Sequence, residues 1–206
     1  MKWIGAAMLA LTLGACDAAQ EFTSPGGDVT TLESQRFVEF ERSVLDAARA
    51  AGITSERPAV EVFFSVGDPD TEWVVVEGDV GDQSVEAVIG AAGGELRIGR
   101  HWLMVPSGTV ASPTRFTMTP VEDGTMHVDL TATSVSSSVQ NDVGAAGFSQ
   151  PVYLSFAVDP TTFDPTTMAV AWLVEGSLVV QQSFVYENDS VVGALNHFSG
   201  YVLVAN

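Results

Sequence analysis

The stretch Leu195-Asn196-His197-Phe198-Ser199-Gly200-Tyr201-Val202-Leu203-Val204-Ala205 stands at the end of the chain and is rich in aromatic and β-branched residues. Such residues are enriched in β-strands, and no proline interrupts the run. The stretch is therefore predicted to be the closing strand of a β domain. It also contains His197 and Ser199, the pair of side chains with the most plausible chemistry in the sequence.

Upstream of this stretch, short segments of alternating apolar and polar or small residues are separated by turn residues. About nine strands in roughly 120 residues predict an antiparallel β-sandwich, with one face of each sheet buried and the other wet. This domain is expected to span residues 85–206. The predicted strands lie near residues 96–98, 103–105, 116–118, 128–132, 152–158, 168–174, 178–186, 190–194 and 195–205.

Residues 32–84 are predicted to add a small helix and a β-hairpin to the sandwich. Thr31 is a candidate N-cap of the helix and Gly52 a natural stop. The apolar stripe is expected to pack on protein, because its flanks are too acidic for an anionic membrane. The residues at helical spacing are Phe37, Phe40, Val44, Ala47 and Ala51.

The hairpin is predicted from two apolar runs, residues 60–64 and 73–76, on either side of the turn Gly67-Asp68-Pro69-Asp70. Asp68 and Asp70 are not expected to bind calcium, because the glycine and the distal glutamate of a calcium loop are missing.

The N-terminus resembles a bacterial lipoprotein signal. Met1 and Lys2 precede an apolar run that is too short to span a bilayer, and Leu13-Gly14-Ala15-Cys16 resembles a lipobox. Residues 1–15 are therefore predicted to be a signal peptide, and Cys16, the only cysteine, to be lipidated. Residues 16–31 contain little apolar material and are expected to form a tether. These features predict a cell-envelope location at the inner or outer membrane, facing the periplasm or the exterior.

The composition limits the other functions that can be considered. The chain has 206 residues, 46% of them hydrophobic, which suits one well-buried domain. Its formal charge is −18, so phosphate backbones will be repelled and nucleic-acid binding is disfavoured. The three histidines, His101, His127 and His197, lack metal-ligand spacing, and no cofactor motif is present. We expect neither a metal nor a cofactor.

Four motifs occur in order in the predicted sandwich. They are Ile89-Gly90-Ala91-Ala92-Gly93-Gly94-Glu95-Leu96, then Leu103-Met104-Val105-Pro106-Ser107-Gly108 with Ser112-Pro113-Thr114-Arg115-Phe116, then the segment from Gly144 to Ser155, and last His197-Phe198-Ser199 with Tyr201. In this order the motifs resemble the ZU-five domain of ankyrins, netrin receptors and zona occludens protein. The resemblance covers residues 85–206 and implies a β-sandwich that serves as a contact surface.

Some relatives of this family, the death-domain adaptor of the PIDD type and inflammasome proteins with a function-to-find domain, cleave themselves between Phe and Ser. The resemblance would place the cut between Phe198 and Ser199. Ser199 would be the nucleophile and His197 the base, with a twisted peptide bond and donors for the oxyanion. The alternative is that Phe198 is a core residue and the motif is structural. No other enzyme activity is predicted.

The sequence thus favours a lipid-anchored envelope lipoprotein whose sandwich is a structural or protein-interaction module, with an unidentified protein partner. Two alternatives remain open. One is the self-cleaving version of the domain. The other is a lipoprotein that binds a carbohydrate or another small ligand, which would require an aromatic-lined concavity at residues such as Trp102 and Trp172.

Overall fold

Two antiparallel β-sheets pack face to face in the computed structural model, which describes residues 29–53, 63–65, 73–135 and 142–206. The signal peptide, Cys16, most of the tether and the turn with Asp68 and Asp70 lie outside the described residues. The helices are α1 (Val29–Ala50), α2 (Val143–Ala146) and a 3-10 turn, Pro165–Thr167. The strands are β1 (Phe63–Ser65), β2 (Val74–Val75), β3 (Val85–Ile89), β4 (Gly94–Ile98), β5 (His101–Val105), β6 (Thr114–Pro120), β7 (His127–Ser134), β8 (Val152–Ala157), β9 (Met168–Val174), β10 (Ser177–Val180), β11 (Ser183–Tyr186), β12 (Ser190–Leu195) and β13 (Gly200–Ala205).

The larger sheet has eight strands in the order β1-β10-β9-β13-β7-β6-β3, with β2 paired to β13 outside this path. The smaller sheet has five strands in the order β11-β12-β8-β5-β4. All pairs between these strands are antiparallel. The predicted fold class, a mostly β antiparallel sandwich with an N-terminal helix, is confirmed.

The strand count differs from the prediction at two places. Val85–Ile89 forms β3, which was not predicted as a strand, and the predicted strand at residues 178–186 is divided into β10 and β11. Gln181 and Gln182 separate these two strands, which belong to different sheets. The chain therefore passes from one sheet to the other within this run. The run was predicted as one strand because apolar residues before and after the crossing are both buried.

Helix α1 ends at Ala50, and Gly52, the predicted stop, follows it with a φ of 82°. Gly52 N donates to Arg49 O, and Ile53 N donates to Ala48 O, which is the Schellman pattern of C-terminal capping. The predicted start was wrong. Thr31 lies within the helix and is not its N-cap, because α1 begins two residues earlier, at Val29, and the N-cap preference of one threonine, about 1 kcal/mol, does not fix a helix boundary.

The apolar stripe of α1 packs on the outer face of the smaller sheet, as predicted. Val44 and Ala48 are buried there against Trp102, Met104 and Tyr153. A polar contact also holds the helix in place. The buried carboxylate of Glu41 accepts hydrogen bonds from the backbone N and the Oγ of Ser107, both at 2.7 Å.

The predicted hairpin is not formed between its two strands. β1 pairs with β10, whereas β2 pairs with β13, so both strands belong to the larger sheet without pairing to each other. An isolated hairpin buries little surface, and long-range pairing within a large sheet buries more. The larger sheet therefore includes strands from both sides of residue 85.

The main core lies between the two sheets. It is built from large, fully buried side chains on both inner faces, and the alternation along the strands directs them inward. Examples are Phe116, Leu103, Leu154, Phe156 and Tyr201. This core holds Phe198 of the bend before β13 and the inward-facing residues Leu96 and Ile98 of β4.

Candidate functional site

Residues 196–199 carry the chain from the smaller sheet to the larger one. β12 ends at Leu195 and β13 begins at Gly200, so the prediction of one continuous strand from Leu195 is wrong. The two strands lie in different sheets, and the chain must bend between them. The His-Phe-Ser motif forms this bend.

Backbone hydrogen bonds fix the bend to neighbouring elements. Each bond involves a peptide group of the His-Phe-Ser motif or of the residue before it, so the backbone of the bend is held at three of its four residues. The bonds join Phe148 N to Asn196 O at 2.7 Å, Phe198 N to Gly144 O at 3.1 Å, and Leu130 N to Ser199 O at 3.0 Å.

Phe198 is a core residue. Its ring packs edge-on against Phe148 at 4.8 Å and Phe116 at 5.7 Å between centroids. Gly144 of α2 allows this packing, because a Cβ on it would lie only 2.9 Å from the Cβ of Phe198. The aromatic residue of the motif therefore stabilises the corner of the sandwich.

The ring of His197 faces Tyr201 and Trp172. Its Nδ1 lies 3.3 Å from the Tyr201 hydroxyl, and its ring centroid is 4.3 Å from that of Trp172. The Tyr201 hydroxyl donates to the His197 carbonyl oxygen at 2.7 Å, and burial raises the pKa of this tyrosine far above its usual range. A tyrosine near a strand start that bonds back to the preceding turn is a known way of fixing sandwich corners.

The contacts described for the His197 ring are structural, since they are made with Tyr201 and Trp172. Ser199 is half-buried. Self-cleavage requires the base to reach the serine hydroxyl. The pair Ser199 and His197 therefore stays a hypothesis, which mass measurement can test.

A second histidine, His127, lies near this bend, and the sequence had pointed to it only as a possible metal ligand. His127 is buried, and its Nδ1 lies 2.7 Å from Oδ2 of Asp123. Burial alone would raise the pKa of Asp123, but hydrogen bonds from His127 and Thr125 lower it below its usual value. A Cβ on Gly200 would come within 3.0 Å of His127 Nε2, so glycine at this position makes room for the ring.

The histidines do not form a metal centre in the part of the chain that the structure describes. That part contains no group of three or more His, Cys, Asp or Glu side chains placed to hold an ion. His101 is instead an acceptor, because its Nδ1 receives a hydrogen bond from Ala157 N at 3.1 Å. Burial, followed by the charge of Arg100, lowers the His101 pKa to about 4.

An open groove of about 760 Å³ runs between the N-terminal half of α1 and the start of β4. We call it the α1–β4 groove. One wall is formed by helix residues that include Arg36, Phe37 and Phe40. The other is the edge of the smaller sheet. The lining residues are Glu33, Ser34, Arg36, Phe37, Val38, Phe40, Ala92, Gly93, Gly94, Glu95 and Arg97.

The groove has apolar and charged parts. The Arg97 guanidinium lies 5.0 Å from the centre of the Phe40 ring and donates to Glu95 at 2.8 Å. Val38 is 48% exposed at the groove. Gly93 has a φ of 75°, and its missing side chain lets Phe37 approach the turn before β4.

The edge of β4 that borders the groove is unpaired. β4 pairs with β5 on its other side, and no described strand adds to the free edge. The free edge could not be predicted from the sequence, because the position of a strand at an edge depends on the topology of the whole sheet. The nearest clue was the run Ala92-Gly93-Gly94, which predicts the turn that leads into β4.

The aromatic residues considered for a sugar platform do not form one exposed surface. Trp102 is buried beneath α1, with its ring 5.1 Å from Phe40 and 5.8 Å from Tyr186. Trp172 is half-buried against the main core. The two tryptophans therefore lie in different layers and do not line a common concavity.

Comparison with known proteins found no relative of this chain. No family model matches the chain, and no curated protein matches it. The resemblance to the ZU-five domain therefore stays a prediction. Within the described residues, no helix has the length and apolar character needed to cross a membrane.

Proposed function

We propose that this protein is a lipid-anchored cell-envelope lipoprotein whose β-sandwich is a protein-interaction module. The observation that carries the interaction role is the α1–β4 groove, where an unpaired sheet edge adjoins exposed apolar and charged side chains. Unpaired edges and open apolar grooves are typical protein contact sites. A sandwich with this groove suits a contact role better than a catalytic one.

The anchoring part of the proposal rests on the sequence. Cys16 follows a short apolar signal-like segment, and two or three acyl chains on one cysteine would hold a protein stably on a membrane. The acidic tether would place the sandwich away from the lipid. The protein would then face the periplasm or the exterior from the inner or the outer membrane.

Two measurements on the full chain test this proposal. Cys16→Ser should move the protein from the membrane fraction to the soluble fraction, and a variant that remains fully membrane-bound would contradict lipid anchoring. The wild-type protein, crosslinked in intact cells and purified from envelope extract, should carry a specific envelope protein. Recovery of lipoprotein-processing enzymes alone would contradict the interaction role.

A further inference from the structure

The free edge of β4 has a defined set of unused backbone groups. Ile98 and His101 face each other across the two-residue turn Gly99-Arg100, in which Gly99 has a φ of 56°. Residues that flank a two-residue hairpin turn exchange hydrogen bonds, and bonded and non-bonded pairs alternate from there. Leu96 is thus bonded to β5, whereas the N–H and C=O groups of Glu95 and Arg97 point to the free edge.

The same two residues line the α1–β4 groove. A strand added to β4 would therefore lie inside the groove and exchange hydrogen bonds with Glu95 and Arg97. The residues of the added strand opposite these two would project toward α1, because directly paired residues share a face of the sheet. They would meet the rings of Phe37 and Phe40.

The charged side chains of the groove indicate which charge an occupant should carry. Arg97 is paired with Glu95, but no ion pair to Arg36 is found among the described residues. Arg36 is exposed and lines the groove. It is therefore available to an acidic side chain of an occupant.

We propose that the α1–β4 groove binds an extended peptide segment of a partner protein, which adds to the edge of β4 as a further strand. The segment has apolar side chains at alternate positions, which pack on Phe37 and Phe40, and an acidic side chain that pairs with Arg36. Peptide addition to a sheet edge gives affinity through main-chain bonds and specificity through alternate side chains. This proposal rests on the interaction role proposed above.

The probe is a set of heptapeptides selected from a random phage-displayed library on the purified full chain. The peptides should share apolar residues at alternate positions and an acidic residue. Arg36→Glu should weaken their binding by at least about tenfold, which corresponds to about 1.4 kcal/mol. Arg42→Glu is the matched control on the same helix. Arg42 is exposed but does not line the groove. The affinity of the Arg42→Glu variant for the peptides should therefore stay within about twofold of the wild-type affinity.

A second variant tests the edge itself. Glu95→Pro removes an N–H that is not used in the β4–β5 pairing, and proline is tolerated at such edge positions. The variant should fold, as thermal unfolding would show, and should lose at least about tenfold in peptide affinity. Amide hydrogen exchange gives a direct measure. Bound peptide should slow exchange at Glu95 and Arg97, whereas Leu96 should exchange slowly with or without peptide.

Each outcome decides the proposal. Equal binding to wild type, Arg36→Glu and Glu95→Pro would overturn it, as would a library that yields no binder or peptides that leave exchange at Glu95 and Arg97 unchanged. The interaction role is judged separately. If the crosslinked envelope partner is recovered equally from wild type and Arg36→Glu, that role stands and the groove assignment fails.

Discussion

At the scale of single residues, buried polar side chains serve mainly to fasten the corners of the sandwich. Tyr201 bonds to the carbonyl of His197 at the bend before β13, and His101 accepts from the backbone of β8. Both use one side chain to satisfy a buried backbone group. A buried group of this kind costs free energy when left unpaired, so these contacts contribute to stability.

His101 should make stability depend on pH. Its pKa is lowered to about 4 in the folded protein, against about 6.5 in the unfolded chain, so the unfolded state binds more protons between these values. The free energy of unfolding should therefore fall as pH is lowered from about 6.5 to about 4, by on the order of 3 kcal/mol from this group.

Urea unfolding of wild type and His101→Asn at several pH values measures the effect. Asparagine keeps an acceptor near the Ala157 N–H but does not titrate in this range. Its free energy of unfolding should decline less between pH 6.5 and 4. Equal declines for the two proteins would contradict the account.

Single residues also show why the sequence predicted part of the candidate site and missed the rest. Phe198 could be read as a core residue from its aromatic side chain alone. The partners of His197 could not, because Trp172 lies on another strand and Tyr201 reaches it only after the chain bends. Contacts of this kind depend on how the two sheets pack.

At the scale of elements, α1 is held on the smaller sheet by an apolar stripe and by one polar clamp. The clamp is the carboxylate of Glu41, which receives two hydrogen bonds from Ser107 in the turn after β5. This turn adjoins Gly93, where a Cβ would clash with Ser107 N at 2.7 Å. The clamp therefore fixes the wall of the groove relative to the sheet.

Glu41→Ala should lower the free energy of unfolding by about 2 kcal/mol, because it leaves the Ser107 N–H without its charged acceptor. Glu39→Ala is the control, since Glu39 is exposed on the same helix, and it should change stability by less than about 0.5 kcal/mol. Denaturant titration measures both. Similar losses of unfolding free energy in the two variants would show that the hydrogen bonds of Glu41 to Ser107 do not stabilise the fold.

The elements were predictable to different degrees. The helix and most strands followed from the sequence pattern. The partners of β1 and β2 did not, since pairing with β10 and β13 spans long sequence separations. The division of residues 178–186 between two sheets was missed for the same reason. The prediction that each sheet has one wet face was wrong for the smaller sheet, where β5, β8 and β12 are buried on both faces because α1 covers the outer one.

At the scale of the whole molecule, two sheets and one helix form three layers. The core between the sheets holds the His-Phe-Ser bend in place, and the layer of α1 creates a groove along the edge of the smaller sheet. The bend serves the architecture, and the groove presents unused hydrogen-bonding groups. This arrangement supports the interaction role that we propose.

The chain should remain intact at the bend. After heating in denaturant, intact-mass measurement should give a single species in which the bond between Phe198 and Ser199 is uncut. Ser199→Ala should give the same pattern, apart from the mass of the substitution. A second species that lacks residues 199–206 in wild type but not in Ser199→Ala would establish self-cleavage.

The most direct test of the central claim is site-specific photo-crosslinking in intact cells. The crosslinker would replace Val38 in the α1–β4 groove, or Val135 after the end of β7 as the control; both are exposed, by 48% and 47%. The account predicts a covalent adduct with an envelope protein at position 38, little or none at position 135, and loss of the adduct in Arg36→Glu. Equal adducts at both positions, or none at position 38, would contradict it.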